Sequence, residues 1–320
     1  MNAPDERKKL VSIVAGCYNE VDNIPELYRR LNLVIAQFPQ YDFEIILIDN
    51  CSTDGTIEVI RKIGASDPRL KAILNVRNFG HIRSPYHAFL LAQGDAVIGM
   101  ASDLEDPPEL IAEFLRKWEE GFKIAIGVRR KSEERGLMPL IRTAYYALIT
   151  RISEVEQVRN FTGFGLYDKA VMDILRDIND PYPYFRGLIC EIGYPRAEIP
   201  FDKLARKHGL SKGNLAVYLD SALLAIVNHT KAPLRLGTLL GFAMATLSFL
   251  LSGYFVIQKL LAWDEFQLGF APLIVGMFFL LGVQFMLLGL IGEYIGLLVN
   301  HVVRRPMVVE KERINFEKRG

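Results

Sequence analysis

Two uncharged runs toward the C-terminal end limit most strongly how this chain can fold. Leu236 to Gln258 spans 23 residues and Phe266 to Gly292 spans 27, with no Asp, Glu, Lys or Arg in either. A bilayer's hydrocarbon core is crossed by about 20 consecutive apolar helical residues. Two such runs in series are rare among the buried core helices of soluble domains. A pair of transmembrane helices is therefore expected within 236–300, with 301–320 as a tail. The flanking charges orient the pair. Lys231 and Arg235 precede the first run, and His301, Arg304, Arg305, Lys311 and Arg313 follow the second. The turn between them, Ala262 to Leu268, carries Asp264 and Glu265 and no cation; Lys259 lies just before it. Lys and Arg collect on the cytoplasmic side, so the tail and the residues before the first run are both expected in the cytosol of a plasma-membrane protein. Trp263 and Tyr254 suit the outer interface.

The preceding residues are expected to form a cytosolic domain at 1–213, with a juxtamembrane amphipathic helix and linker at 214–235. The first ten residues, MNAPDERKKL, run straight into a short apolar stretch without the 7–15 apolar residues of a secretory signal. Cys17, Cys51 and Cys190 are odd in number and far apart, which implies neither a disulfide framework nor a zinc site and suits a reducing compartment. A formal net charge of +1 lacks the basic excess of nucleic-acid binders, so no nucleic acid is expected as partner.

Within 1–213 the hydrophobic period alternates between strand and helix. Strands are expected at Val11 to Ala15, Phe43 to Ile48, Lys71 to Val76, Ala96 to Met100 and Lys123 to Val128. Helices are expected at Ile24 to Ile35, with Leu27, Leu31 and Val34 on one face, at Thr56 to Ile63, and from Pro107 and Pro108 through Trp118. Alternation of this kind predicts an α/β fold with a mainly parallel sheet covered on both faces. Ligands of such sheets bind beyond the carboxyl ends of the strands.

The strand ends carry distinctive chemistry. Tyr18, Asn19 and Glu20 follow the first strand; Asp49 ends the second; Arg77, Asn78 and Gly80 follow the third. Asp103, Glu105 and Asp106 follow the fourth, and Arg129 and Arg130 close the fifth. Acids at three ends and cations at two suit a metal ion, a nucleoside and several phosphates together. No Gly-x-Gly-x-x-Gly or Walker sequence is present, which argues against an ordinary dinucleotide or P-loop site.

The segments CYNEVDNIPEL at 17–27, DNCSTDGT at 49–56, RNFGH at 77–81, SDLEDPPEL at 102–110 and RKHGLSKGN at 206–214, with LLGLIGEYIGLL at 287–298 and RRP at 304–306, resemble in order those of the family-2 glycosyltransferases of GT-A fold. The resemblance is to the polyprenyl-phosphate group, which includes dolichol-phosphate mannose synthase and the bacterial O-antigen glucosyl carrier enzymes, and it covers nearly the whole chain. It implies a Rossmann-like GT-A domain that moves one sugar from a UDP- or GDP-sugar to polyprenyl phosphate (undecaprenyl phosphate in a bacterium), with inversion at the anomeric carbon. It further implies Mg2+ or Mn2+ on Asp103 and Glu105. Asp49 is expected on the base or ribose, with Tyr18, Asn19, Glu20, Asn78 and Gly80 around the nucleotide. Arg206, Ser211 and Lys212 are expected at the diphosphate in a loop that closes over it. Asp103, Arg129 and Arg130 are the expected catalytic residues, the two arginines gripping the acceptor phosphate, since Arg suits bidentate phosphate contacts.

Some residues read more simply as structure. Asp54 and Gly55 suit a turn, Asp106 to Glu109 a cap on the following helix, and Lys207 and Lys231 contact with anionic lipid. Leu137 to Ile152 and Leu215 to Val227 are apolar on one face; surface helices on the membrane and ordinary domain helices both fit them. Glu293, beside Tyr294, is expected at the interface or between helices. Two spans bury little helix surface, so a homo-oligomer is a reasonable expectation.

The chain departs from the resembled pattern twice. Ala101 replaces the first acid of Asp-x-Asp, and Thr162-Gly163-Phe164-Gly165-Leu166 stands where relatives carry Asp-Phe-Arg-Leu. A lipid phosphate is already ionised near neutral pH and needs no base, so positioning and charge stabilisation suffice for transfer. Two other readings remain open: a processive polysaccharide synthase, although neither Trp118 nor Trp263 lies in a Gln-x-x-Arg-Trp setting, and an inactive nucleotide-sugar-binding membrane protein.

Overall fold

The computed structural model describes residues 7–130, 158, 160–178, 180, 183–204, 270–302 and 306–316, with scattered positions between 237 and 261. The chain divides into two compact units: Met1–Arg151, Val155–Tyr218 and Arg304–Gly320 form the first, Ile152–Glu154 and Leu219–Val303 the second.

The first unit is built on an eight-stranded sheet. Its strands are β1 (Lys9–Cys17), β2 (Tyr41–Asp49), β3 (Leu70–Asn75), β4 (Ala96–Ala101), β5 (Ile124–Arg129), β6 (Phe161–Asp168), β7 (Arg196–Phe201) and β8 (Glu310–Ile314). The order is β7-β5-β6-β4-β1-β2-β3-β8. β1 pairs in parallel with β2 and β4, as do β2 with β3 and β5 with β7; β6 is antiparallel to β4 and β5, and β8 to β3. The five expected strands are all present: β1, β2 and β4 are longer than expected by one to four residues, and β3 and β5 are shifted by one residue at the same length. The mainly parallel sheet follows from strands buried on both faces, such as Ile45 to Ile48 in β2.

Helices cover both faces. One layer holds α1 (Asn23–Ile35), α2 (Thr56–Ser66) and α4 (Ile111–Glu119), which bury Leu27, Leu31, Ile60, Phe114 and Trp118 against the sheet. The other holds α3 (Gly80–Leu91), α5 (Lys169–Ile178) and α6 (Phe185–Ile192), burying Ala88, Phe89, Met172 and Leu188. α3 has no sequence start signal: its N-cap is Phe79, which makes no side-chain cap, and Pro85 lies inside it.

The expected cap at 106–109 takes another form. A 3-10 turn at Pro108–Leu110 precedes α4, and neither start has a side-chain cap. Asp106 turns to Arg129, and Glu109 forms a two-pronged pair with Arg30 of α1. A full charge within reach outcompetes a backbone amide for each carboxylate.

In the second unit, α7 (Phe270–Val302) has 33 residues, about 50 Å of helix. Among the described residues it is the one helix long and apolar enough to cross a membrane, over Phe279–Gly296, with mean hydropathy 1.7. Most of its described large side chains are exposed, Phe285 by 70%. The described residues between 237 and 261 are helical; the rest of the first expected span, and the amphipathic stretches at 137–152 and 215–227, lie outside the described residues.

Candidate active site

β1, β2 and β3 are laid down in one direction across the sheet, and β4 then returns to the far side of β1. Chain leaving β1 and β4 therefore diverges at their carboxyl ends, where α/β sheets open a crevice. A cleft of about 370 Å³ lies there. Gly16 and Cys17 of β1 and Ala101 of β4 line it, with Tyr18, Asn19 and Glu20 along one edge and Ser102 and Asp103 along another. The opposite wall is Asn78 and the first turns of α3, from Gly80 and His81 to Ser84 and Pro85. Pro85 packs so closely that a Cβ on Gly16 would sit 2.6 Å from its Cγ.

Hydrogen bonds fix the rim loops. Asn19 adopts left-handed φ of 56°; its N–H donates to Ser52 Oγ at 2.8 Å, and its Oδ1 accepts from Thr53 N at 2.9 Å. Glu20 N donates to Thr56 Oγ1 at 2.9 Å, while Glu20 Oε2 accepts from Asn23 at 2.6 Å. Asp54 accepts from Val21 N and from Thr56, and Gly55 takes φ of 96°, so both perform the structural work expected of them.

Asp49 is fully buried at the end of β2 and does not line the cleft. Its carboxylate accepts from Ser52 N at 2.9 Å and Ser52 Oγ at 2.5 Å. Burial raises its pKa above the ordinary carboxylate value, against the opposing effect of Ser52. Burial also pushes up the neighbouring Cys17 thiol, with Asp49 adding to the shift.

Asn50 connects the end of β2 to the cleft wall. Its Nδ2 donates to Asn78 Oδ1 at 2.9 Å and to Gly80 O at 3.1 Å, and its Oδ1 accepts from Phe79 N at 2.8 Å. In the sequence Asn50 stands out only as a member of the 49–56 segment. It lies within a motif already singled out, yet only the fold brings residues 28–30 positions apart together.

The acidic loop after β4 splits in two directions. Leu104, between Asp103 and Glu105, is buried with φ of 61°, a left-handed conformation that costs a non-glycine residue about 1–2 kcal/mol. Asp103 lines the cleft and accepts from Glu105 N at 3.1 Å. Glu105 pairs with Lys203 at 3.0 Å and Arg129 at 3.6 Å. Arg129 pairs more closely with Asp106, at 2.9 Å. Burial raises the Asp106 pKa, and Arg129 opposes that rise. Arg130 pairs with Asp202 at 3.1 Å. Arg129 thus holds the loop bearing Asp103. Lys203 is a second loop-holding cation that sequence reasoning missed. Arg206, Ser211 and Lys212 lie outside the described residues.

The second sequence departure has a steric basis. Gly165 of β6 lies between Gly99 of β4 and Ile126 of β5, and a Cβ there would sit 2.7 Å from Ala125 O. This packing leaves no room for the Arg that the resemblance leads one to expect at this position. Gly163 has φ of 102°, and its carbonyl accepts from Tyr167 Oη at 2.9 Å.

The family model described as glycosyl transferase family 2 matches residues 12–170. An uncharacterized glycosyltransferase of Synechocystis sp. is 32% identical over 96% of this chain and 96% of its own length. A bactoprenol glucosyl transferase derived from the SfII prophage of Shigella flexneri is 29% identical over 94% of this chain and 97% of its own. Among solved structures, a mannosyltransferase from Pyrobaculum calidifontis in complex with GDP-Man and Mn2+ aligns at 18% identity and a TM-score of 0.47, covering 72% of this chain and 66% of that one.

Proposed function

Because the chain belongs to glycosyltransferase family 2, we propose that it moves a single sugar from a UDP- or GDP-sugar to a polyprenyl phosphate at the cytosolic face of the membrane. The observation carrying this reading is the cleft at the β1–β4 divergence, lined by Asp103, by Tyr18 to Glu20 and by the first turns of α3. The lipid acceptor is drawn from the similarity to a bactoprenol glucosyl transferase along almost the full length of both chains.

The donor's nucleotide would lie between the 18–20 edge and the Asn78–Gly80 wall, with its diphosphate toward Asp103. Asp103 would hold a divalent ion at the cleft, and Glu105 would join it as second carboxylate on turning from Lys203 and Arg129. Mg2+ bound through one or two carboxylates takes its remaining oxygens from substrate phosphates, so this donor set fits such an ion. Among the described residues no group of three or more His, Cys, Asp or Glu is placed to cage an ion without substrate. When bound, the ion would neutralise charge on the departing diphosphate. Ala101 lines the cleft at the position where the resembled Asp-x-Asp pattern has its first acid.

No base is required of the chain. The acceptor is an ionised phosphate, and its attack from the face opposite the leaving diphosphate inverts the anomeric carbon. This accounts for activity despite Gly163. Arg206, Ser211 and Lys212 are proposed to close on the diphosphate, and Arg130 to meet the acceptor once Asp202 yields.

Membrane attachment through two spans rests on connectivity. β8 lies in the same sheet as β1 to β7, so the chain leaves the first unit before α7 and returns to it after α7. A segment that starts and ends on one side of a bilayer crosses it an even number of times. If α7 is one crossing, 236–258 supplies the other, and the domain and tail share the cytosol. The uncovered apolar side chains of α7 suit lipid.

The test is transfer by purified full-length protein. It is offered a panel of UDP- and GDP-sugars with Mg2+ or Mn2+ and polyprenyl phosphate, and the product is identified by mass. One sugar per lipid supports the reading. A long polymer identifies a processive synthase instead, and binding without turnover identifies an inactive nucleotide-sugar-binding protein.

A further inference from the structure

The tail beyond α7 is wired into the wall of the cleft. Arg83 of α3 donates through Nη2 to Pro306 O at 2.6 Å. His87, one turn further on, meets Glu310 of β8 at 2.6 Å, and Glu310 is also paired with Arg313. Ser84, between those two contacts, lines the cleft and accepts from Asn75 Nδ2 at 2.9 Å. Asn75 is opposite Glu310 in the β3–β8 ladder. It also reaches Asn50, which holds Asn78, Phe79 and Gly80. A continuous set of contacts therefore runs from the tail to the two stretches that form the cleft wall.

The register of β8 makes this possible. Residues opposed across a ladder share a face, and faces alternate along each strand. Ile73 is opposite Arg313 and Leu74 opposite Glu312, so Lys311 would ordinarily fall opposite Asn75. A register shift between Leu74 and Asn75 places Glu310 there instead. Bulges re-aim side chains in this way. Glu310 and Arg313 come to share the face toward α3, while Glu312 on the other face pairs with Arg61 of α2 at 2.6 Å. One strand thus holds a helix on each side of the sheet, and only its α3 side leads to the cleft.

We propose that residues 306–316 are a positioning clamp for the donor cleft, in which Glu310 and the Pro306 carbonyl hold α3 through His87 and Arg83. The clamp sets donor affinity without touching the donor. This rests on the reading that the cleft takes the nucleotide donor.

The test compares full-length wild type with Glu310→Ala and Glu310→Gln, and with Arg61→Ala as the control that cuts β8's contact on the opposite face. Amide hydrogen exchange is followed without ligand, and donor KM and kcat are measured with the sugar nucleotide that wild type uses. Glu310→Ala should speed exchange across 78–86 by about tenfold while β1 and β4 keep wild-type rates. It should raise donor KM about fivefold with kcat within about twofold. Glu310→Gln, which keeps an acceptor for His87, should fall between Ala and wild type, and Arg61→Ala should leave KM unchanged. Wild-type exchange over 78–86 in Glu310→Ala overturns the clamp, as does an equal rise in KM with Arg61→Ala. If Glu310→Ala does not fold, the Gln variant carries the same comparison. If wild type binds neither UDP nor GDP and transfers no sugar, the donor reading fails, and the exchange measurement alone still decides whether Glu310 holds α3.

Discussion

Arg129 Nη2 lies 2.9 Å from Asp106 Oδ1, joining the end of β5 to the loop that carries Asp103. The Asp106 carboxylate is almost fully buried, with only 4% of its side chain exposed. Removing one partner of a buried pair strands the other, at a cost of about 3–5 kcal/mol. Arg129→Ala should therefore lower the unfolding midpoint of the detergent-solubilised protein as well as its activity. Arg129→Ala with Asp106→Asn should recover much of the stability, read from urea unfolding. A single variant as stable as wild type would show that the pair does not hold the loop.

Asp103→Ala should behave differently. Asp103 is half-buried at the cleft and accepts from Glu105 N within its own loop, so its loss should cost less stability than breaking the buried Arg129–Asp106 pair. Transfer should fall by about 100-fold or more, the scale seen when a group stabilising transition-state charge is removed. Full activity in a folded Asp103→Ala protein would remove this residue from the mechanism.

The two glycines of β6 should separate. Gly165→Arg meets the Ala125 carbonyl at 2.7 Å and should abolish folding of the sheet, seen as rapid proteolysis between β5 and β6. Among the described residues a Cβ on Gly163 meets only Phe185, at 3.5 Å, so Gly163→Asp bears mainly the φ penalty of about 1–3 kcal/mol. It should fold and transfer no faster than wild type if the acceptor phosphate needs no base. A large rate gain would show that a base is limiting.

Asp67 offers a pH test away from the site. Hydrogen bonds from Arg69 lower its carboxyl to about 2, with Tyr28 adding a further bond. A folded pKa below the unfolded value gives stability that is present above about pH 4 and lost as pH falls through about 2. Asp67→Asn should be less stable than wild type near pH 6, by on the order of 1 kcal/mol, and the gap should close toward about pH 2. A gap that persists undiminished into acid would show that the charge is not its source.

Much of the architecture was legible in local patterning. Leu27, Leu31 and Val34 mark α1 by their spacing, and the apolar run in β2 marks a strand buried on both faces. The strand-end motifs located the cleft, because loops after parallel strands share one edge of the sheet. α3 was missed since Pro85 and an uncapped start hide it, and what holds it is packing of Ala88 and Phe89 against the sheet. β8 was missed because Glu310 to Ile314 reads as a charged tail. Its pairing with β3 joins residues more than 230 positions apart.

The sequence by itself determined that this is a family-2 glycosyltransferase chain with a mainly parallel α/β domain and two long apolar runs. Period and composition are readable within a few dozen residues, and the family resemblance lies in the order of motifs along the chain. Only the tertiary structure decided which charges meet: Arg129 with Asp106, Lys203 with Glu105, and Glu310 with His87. Ion pairs are selected by geometry at a few ångströms, and partners brought together by separate strands and loops leave no periodic trace in the chain.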